Sequence, residues 1–205
     1  MYKYYIMSFK RFSCNGFSKI VKSDDPEFNN KKCSPKKYYS IPPIKRTILP
    51  PEPEPYENIS ITDLDGTYDD SGKTYTLNSN TTITEYQILT IPTGQSLFVP
   101  TAITLINNGT IQCNGPVGED LNYIVNGKFI NNNIFTQSGG NVVSQSGGEI
   151  INSISGSINV ESGIFYAYSA GDIITNNGTI KVSGVDSYLS SQLGSTFTNT
   201  SSGII

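Results

Sequence analysis

Through its C-terminal third the chain returns to glycine every seven or eight residues, at Gly140, Gly148, Gly156, Gly163, Gly171 and Gly178. Two places after each stands a large apolar residue: Val142, Ile150, Ile158, Phe165, Ile173 and Ile180. Self-similarity at so short a period restricts a chain to architectures built by repetition. A strand of four or five residues turns alternate side chains inward, so apolar residues at spacing two fill a core. Glycine and asparagine tolerate the left-handed backbone that a sharp corner needs. Three such units take up about 22 residues, near one coil of a three-faced parallel β-helix. Stacked copies set asparagine over asparagine, where their amides bond in ladders.

The expectation is therefore an all-β fold, a short parallel β-helix over residues 58–205 of roughly six or seven coils at ~4.8 Å each. An antiparallel β-sandwich or jelly roll is the alternative, because short strands with frequent turns suit it too. Composition agrees with either. Only 15% of residues are charged, and alanine occurs only at Ala102, Ala167 and Ala170, so helix formers are scarce. Strands are expected around Tyr75/Leu77, Leu97/Val99 and Ile103/Leu105, with a turn at Pro92-Thr93-Gly94.

Upstream the character changes. Residues 1–47 hold eleven basic residues against three acidic ones, a net +8, whereas residues 48–205 hold three lysines against fourteen acids, a net −11. Such asymmetry implies two parts with different partners. Residues 1–41 lack sustained periodicity and read as an extended, mostly irregular basic arm. Residues 42–57 carry Pro42, Pro43, Pro50, Pro51, Pro53 and Pro55, a proline-rich linker suited to polyproline II. Lys10, Arg11, Lys31, Lys32, Lys36, Lys37, Lys45 and Arg46 are the candidate partner-binding cations. Interleaved aromatics would let such an arm stack on nucleic acid. The reading taken is a tether onto acidic protein surfaces, with nucleic acid as the alternative.

The repeat Leu105-Ile-Asn-Asn-Gly-Thr-Ile111 returns nearly verbatim at Ile173–Ile180, and Leu89-Thr-Ile-Pro-Thr-Gly-Gln-Ser-Leu97 precedes it. These segments resemble a loose class of β-solenoid proteins with NNGTI-type repeats. That class occurs on bacterial surfaces and among structural proteins of large DNA viruses. The resemblance covers about residues 75–205 and implies a non-enzymatic structural role. It suggests a virion or capsid component, made in the host cytoplasm, whose partners are other capsid subunits. A bacterial-surface analogue would instead be an adhesion or glycan-binding module.

Ile59-Ser-Ile-Thr-Asp63-Leu-Asp65-Gly-Thr67 is similar to the first motif of the haloacid dehalogenase superfamily, which implies a phosphoryl-accepting Asp63 beside Asp65. No plausible helix follows, so the loop is read as a turn at the solenoid entrance. Asp63, Asp65 and Asp69 are the candidate metal ligands there, at calcium-loop spacing but without a closing glutamate. A polysaccharide hydrolase or lyase would need paired carboxylates. Glu149, Glu161, Asp172 and Asp186 are the candidates, at irregular spacing, and residues 48–205 contain no arginine, histidine or tryptophan. Tyr166, Tyr168 and Tyr188 are candidates for non-catalytic glycan contact. No cofactor is expected.

Three cysteines, Cys14, Cys33 and Cys113, are too few and scattered for a disulfide framework. Neither a secretory leader nor a membrane span is legible. The sequence reaches Ser202-Gly-Ile-Ile205 in mid-repeat without a polar cap. Open strand edges call for cover, so Ile204 and Ile205 are the expected contact with another subunit, with a second copy, or with further chain.

Overall fold

A computed structural model describes residues 9–14, 17–22, 55–71, 73–115 and 121–205. The chain divides into two units, Met1–Pro51 and Glu52–Ile205. In the first unit, β1 (Phe9–Cys14) pairs antiparallel with β2 (Phe17–Lys22), Cys14 opposite Phe17. The dipeptide between them is Asn15-Gly16, the combination that two-residue hairpin turns prefer. This pairing lies within the segment expected as an extended, mostly irregular arm. The proline-rich stretch before residue 55 lies outside the described residues.

The second unit is a parallel β-solenoid. An irregular opening turn comprises β3 (Glu57–Ser60), β4 (Gly66–Asp69), β5 (Thr74–Leu77) and β6 (Thr81–Ile83). Five regular turns of three strands follow. The first is β7 (Gln87–Ile91), β8 (Ser96–Val99) and β9 (Thr104–Asn107). The second is β10 (Thr110–Asn114), β11 (Leu121–Val125) and β12 (Lys128–Asn131). The third is β13 (Ile134–Gly139), β14 (Asn141–Ser144) and β15 (Glu149–Asn152). The fourth is β16 (Ser157–Val160), β17 (Ile164–Ala167) and β18 (Ile173–Asn176), and the fifth is β19 (Thr179–Val182), β20 (Tyr188–Ser191) and β21 (Thr196–Asn199). Each strand of a turn joins a different sheet, giving a first sheet β3-β7-β10-β13-β16-β19, a second β4-β5-β8-β11-β14-β17-β20 and a third β6-β9-β12-β15-β18-β21. The β-helix expectation stands and the sandwich alternative falls. The number of turns is smaller than the sequence suggested, because residues 58–85 are spent on the irregular entrance.

Entry to the solenoid explains the Asp63-Leu-Asp65-Gly66 segment. Ser60 caps a short 3-10 turn, Ile61–Asp63, and the Asp63 carboxylate accepts the Ser60 N–H at 2.7 Å. The chain then doubles back as β4, the antiparallel partner of β5. Tyr75, nearly buried, donates its hydroxyl to the Leu64 carbonyl and pins the hairpin down.

Inward residues form columns through the stack. In the third sheet Leu105, Phe129, Ile150, Ile174 and Phe197 lie in register. Where the three columns meet, Tyr123, Phe129 and Phe135 bring one ring from each sheet, with centroids 5.1–5.4 Å apart. Such offset and edge contacts contribute about 0.5–1.5 kcal/mol beyond burial. The glycine-plus-two rule holds at Val142, Ile150, Ile158, Phe165 and Ile180, all buried. It fails at Ile173, which is 39% exposed while Ile174 faces the core. The turn before β18 holds the extra residue that shifts this phase.

The corner from the third sheet to the first holds an asparagine ladder. The Asn107 amide donates to Asn131 Oδ1 at 2.8 Å, Asn131 to Asn152 at 2.9 Å, Asn152 to Asn176 at 2.8 Å and Asn176 to Asn199 at 2.7 Å. Partners are 24, 21, 24 and 23 residues apart, so the ladder counts the turns. The same amides bond main-chain carbonyls of the corner, as Asn152 does with Gly156 and Thr179.

The corner from the first sheet to the second is closed by backbone contact. Gly163 has φ +89°, and a Cβ there would collide with the Gly140 carbonyl oxygen of the turn beneath. Gly94, at φ +77°, has open space where its Cβ would stand. Gly94→Ala should therefore cost only the left-handed penalty, about 1–2 kcal/mol. Gly163→Ala adds an overpacked backbone, and we expect a loss of at least about 3 kcal/mol by urea unfolding.

Candidate functional site: carboxylates, chain ends and a tyrosine face

The carboxylates considered for catalysis or metal binding are largely tied into local structure. Asp63 caps the 3-10 turn, Asp65 Oδ2 accepts the Ser79 hydroxyl at 2.6 Å, and Asp69 Oδ1 accepts the Ser71 N–H and hydroxyl at 3.0 and 2.7 Å. Asp63 and Asp65 line an open recess of about 640 Å³ with Glu57, Asn80 and Gln87. Among the described residues no group of three or more His, Cys, Asp or Glu is arranged to hold a metal ion. Nor is there an α-helix among them, so the alternating α/β context of a dehalogenase motif is missing from the described part.

Asp172 is fully buried, and its carboxylate accepts three backbone N–H groups, from Gly147 at 2.7 Å, Tyr168 at 3.2 Å and Ser169 at 2.5 Å. Gly147 belongs to the turn beneath, so Asp172 clamps two consecutive corners together. That role escaped the sequence reading. Its local signal was the run Ser169-Ala170-Gly171-Asp172, in which an aspartate can bond the start of its own turn. Glu149 pairs with Lys128 across adjacent turns of the third sheet at 2.7 Å, a surface pair worth about 0–1 kcal/mol. Glu161 accepts the Ser138 hydroxyl at 2.9 Å. Glu161 and Asp186 share the corner between the first and second sheets in consecutive turns, whereas Glu149 and Asp172 lie elsewhere.

Of the basic candidates, Lys10 and Arg11 fall on β1, opposite Val21 and Ile20. Lys31, Lys32, Lys36, Lys37, Lys45 and Arg46 lie outside the described residues. Ile204 bridges Thr179 in parallel, starting a further rung on the first sheet, and both Ile204 and Ile205 are 63% exposed. Beside them Val182, Leu189 and Phe197 are only partly buried.

The structure does bring Tyr166, Tyr168 and Tyr188 together, on the outside of the second sheet. The Tyr166 and Tyr168 rings are 6.2 Å apart and nearly perpendicular, and Tyr188 lies on the next rung opposite Ile164. Partial burial, and then the negative charges that Tyr168 and Tyr188 would carry, push the Tyr166 phenol above its ordinary range. Below them runs an outward column in strict register, Thr76, Phe98, Ile124, Val143, Tyr166 and Ser190. Val143 is 1% exposed although it belongs to this outward column and not to the core cluster. The signal was legible as consecutive apolar residues in Leu97-Phe98-Val99, Tyr123-Ile124-Val125 and Phe165-Tyr166-Ala167, where a one-sided strand would alternate.

No protein family, no curated protein and no solved structure matches this chain. No helix among the described residues is long and apolar enough to cross a membrane.

Inside the solenoid, burial raises the Cys113 thiol strongly. Burial first, and then a Cys113 thiolate nearby, does the same to the Tyr123 phenol. Both groups fold only in the neutral form. Their contribution is complete below the unfolded-state values of 9.0 and 10.0 and is lost as pH climbs beyond them. Unfolding free energy should fall as pH rises above 9, and Cys113→Val should move the onset of that fall towards 10. Urea unfolding at fixed pH steps, with tyrosinate absorbance followed in parallel, measures both.

Proposed function

We propose that this chain is a non-enzymatic structural protein of a multi-subunit assembly, a virion or capsid component. Basic residues of the N-terminal segment anchor it to acidic surfaces of neighbouring subunits, and the acidic solenoid packs or projects from that anchor. The observation that supports this most is how the solenoid spends its polar groups. Four consecutive amide-to-amide bonds, a triply bonded buried carboxylate and cap-bound acids build a stiff stacked body. A body of this kind suits spacing and packing. The split of +8 on residues 1–47 against −11 on the remainder supports a division between anchor and body. The virion setting rests on the resemblance of the NNGTI repeats to those of viral solenoid proteins. Exposed Ile204 and Ile205, beside the partly buried Leu189 and Phe197, are a natural contact for a neighbouring subunit.

Deletion of residues 1–47 tests this reading. The truncated protein should accumulate as a folded β-rich species yet disappear from purified particles. Unchanged incorporation into particles would show that the anchor lies elsewhere.

A further inference from the structure

The outward face of the third sheet is arranged evenly about its own midpoint. Its six strands run β6, β9, β12, β15, β18 and β21, so the midpoint falls between β12 and β15. On those two strands stand Lys128 and Glu149, in register and with side chains 37% and 35% exposed. Their column continues as Thr104 below and as Ile173 and Thr196 above. The column beside it reads Thr82, Ile106, Ile130, Ile151, Thr175 and Thr198. The three isoleucines are half-buried, and no outward strand position here other than Lys128 and Glu149 is charged. Threonines therefore stand at both ends and isoleucines in the middle, with one cation and one anion on either side of the centre.

We infer that this face is a homodimer interface, covered by the same face of a second copy related by a two-fold axis parallel to the strands at that midpoint. Such an axis sets β12 of one copy against β15 of the other. Lys128 then faces Glu149 of the second copy, and Glu149 faces its Lys128. Together with the 2.7 Å pair inside each copy, the four charges close into an alternating ring. In the neighbouring column Ile130 meets Ile151 of the second copy. Because the axis passes through the centre of the face, all six rungs are covered on both copies. Two sheets stacked ~10 Å apart with their strands aligned form an ordinary packing mode. One patch serving both copies is the isologous contact of two-fold dimers.

The other faces do not complement themselves in this way. The same operation on the first sheet sets Lys181 on β19 against Ser60 on β3, and leaves the cation without an anion. On the second sheet Val143 is already only 1% exposed. Size also fits a second copy. Strand and corner together make the third face roughly seven residues wide at ~3.3 Å and six rungs tall at ~4.8 Å, or about 650 Å² in projection. Side-chain relief brings that near the ~800 Å² per partner of a stable interface.

The inference does not rest on the anchoring role, and its test keeps residues 1–47 in place. Sedimentation equilibrium of the full chain, from about 1 to 300 µM, should show a monomer–dimer equilibrium with a Kd of roughly 1–100 µM. Lys128→Glu and Glu149→Lys, each made alone, set like charges across the axis and should weaken association about tenfold or more. Mixed in equal amounts, the two variants meet opposite charges and should associate to within about threefold of the parent Kd. The double variant carrying both changes should dimerise as the parent does. Thermal unfolding of every variant should stay near that of the parent, since the pair lies on the surface. A chain that remains monomeric at the highest concentration would overturn the inference. So would a dimer that both single variants retain, or one that neither their mixture nor the double variant restores. Association that depends on residues 1–47 instead would survive both single changes, and so belongs to the overturning outcomes.

Discussion

A buried column of asparagine amides sets the terms on which the rest of the solenoid stacks. Each amide from Asn107 to Asn176 is out of contact with water, so every bond it makes must be found inside the protein. A rung satisfies its neighbour only if consecutive turns close after 21 to 24 residues with the same corner in the same place. Turn length, strand register and the inward phase of Leu105, Phe129, Ile150 and Ile174 all follow from that requirement. At the foot of the ladder the register partner of Asn107 is Ile83, and the Asn107 Oδ1 atom is left without a partner among the described residues. The ladder therefore begins where the irregular entrance ends.

Much of this architecture was legible before any coordinates. The first asparagine of each Asn-Asn-Gly-Thr-Ile copy is the ladder residue, and the glycine that follows marks the corner. The repeat failed where local turns differed. Ile173 was phased inward by its distance from Gly171, yet the turn clamped by Asp172 is one residue longer and sends Ile174 inward instead. The β1–β2 pairing carried a signal, Asn15-Gly16, that lysine-rich composition obscured. Side chains were harder to place than strands. Asp172 reads from sequence as one acid among several, and only the stack reveals that a backbone amide of the preceding turn points at it. The three tyrosines were visible as candidates, but their convergence needs the 22-residue distance between Tyr166 and Tyr188 to become one rung.

The three sheets differ in the charge of their outward positions. The first and third carry the charged outward positions Lys181, Lys128 and Glu149; the second presents the column of Phe98, Ile124, Val143 and Tyr166, and the third also carries the apolar column of Ile106, Ile130 and Ile151. The proposed structural role draws on the contrast between the cationic residues 1–47 and the acidic remainder. Among the acids, Asp63 caps a 3-10 turn, Asp65 bonds a serine and Asp172 clamps a corner.

The central claim is that the buried ladder, rather than the asparagine-rich corner as such, holds the turns in register. It is tested most directly by comparing Asn152→Leu with Asn177→Ser in equilibrium urea unfolding. Asn152 is a ladder rung, and Asn177 is its neighbour's companion at the same corner, bonded to the Asn152 carbonyl only through its main-chain N–H. Loss of the rung leaves the buried Asn176 Oδ1 without its donor and takes one bond each from the Asn131 amide and the Gly156 and Thr179 carbonyls, and the predicted cost is about 2–4 kcal/mol. The Asn177 substitution should stay within about 0.5 kcal/mol. Equal losses at the two positions would contradict the account.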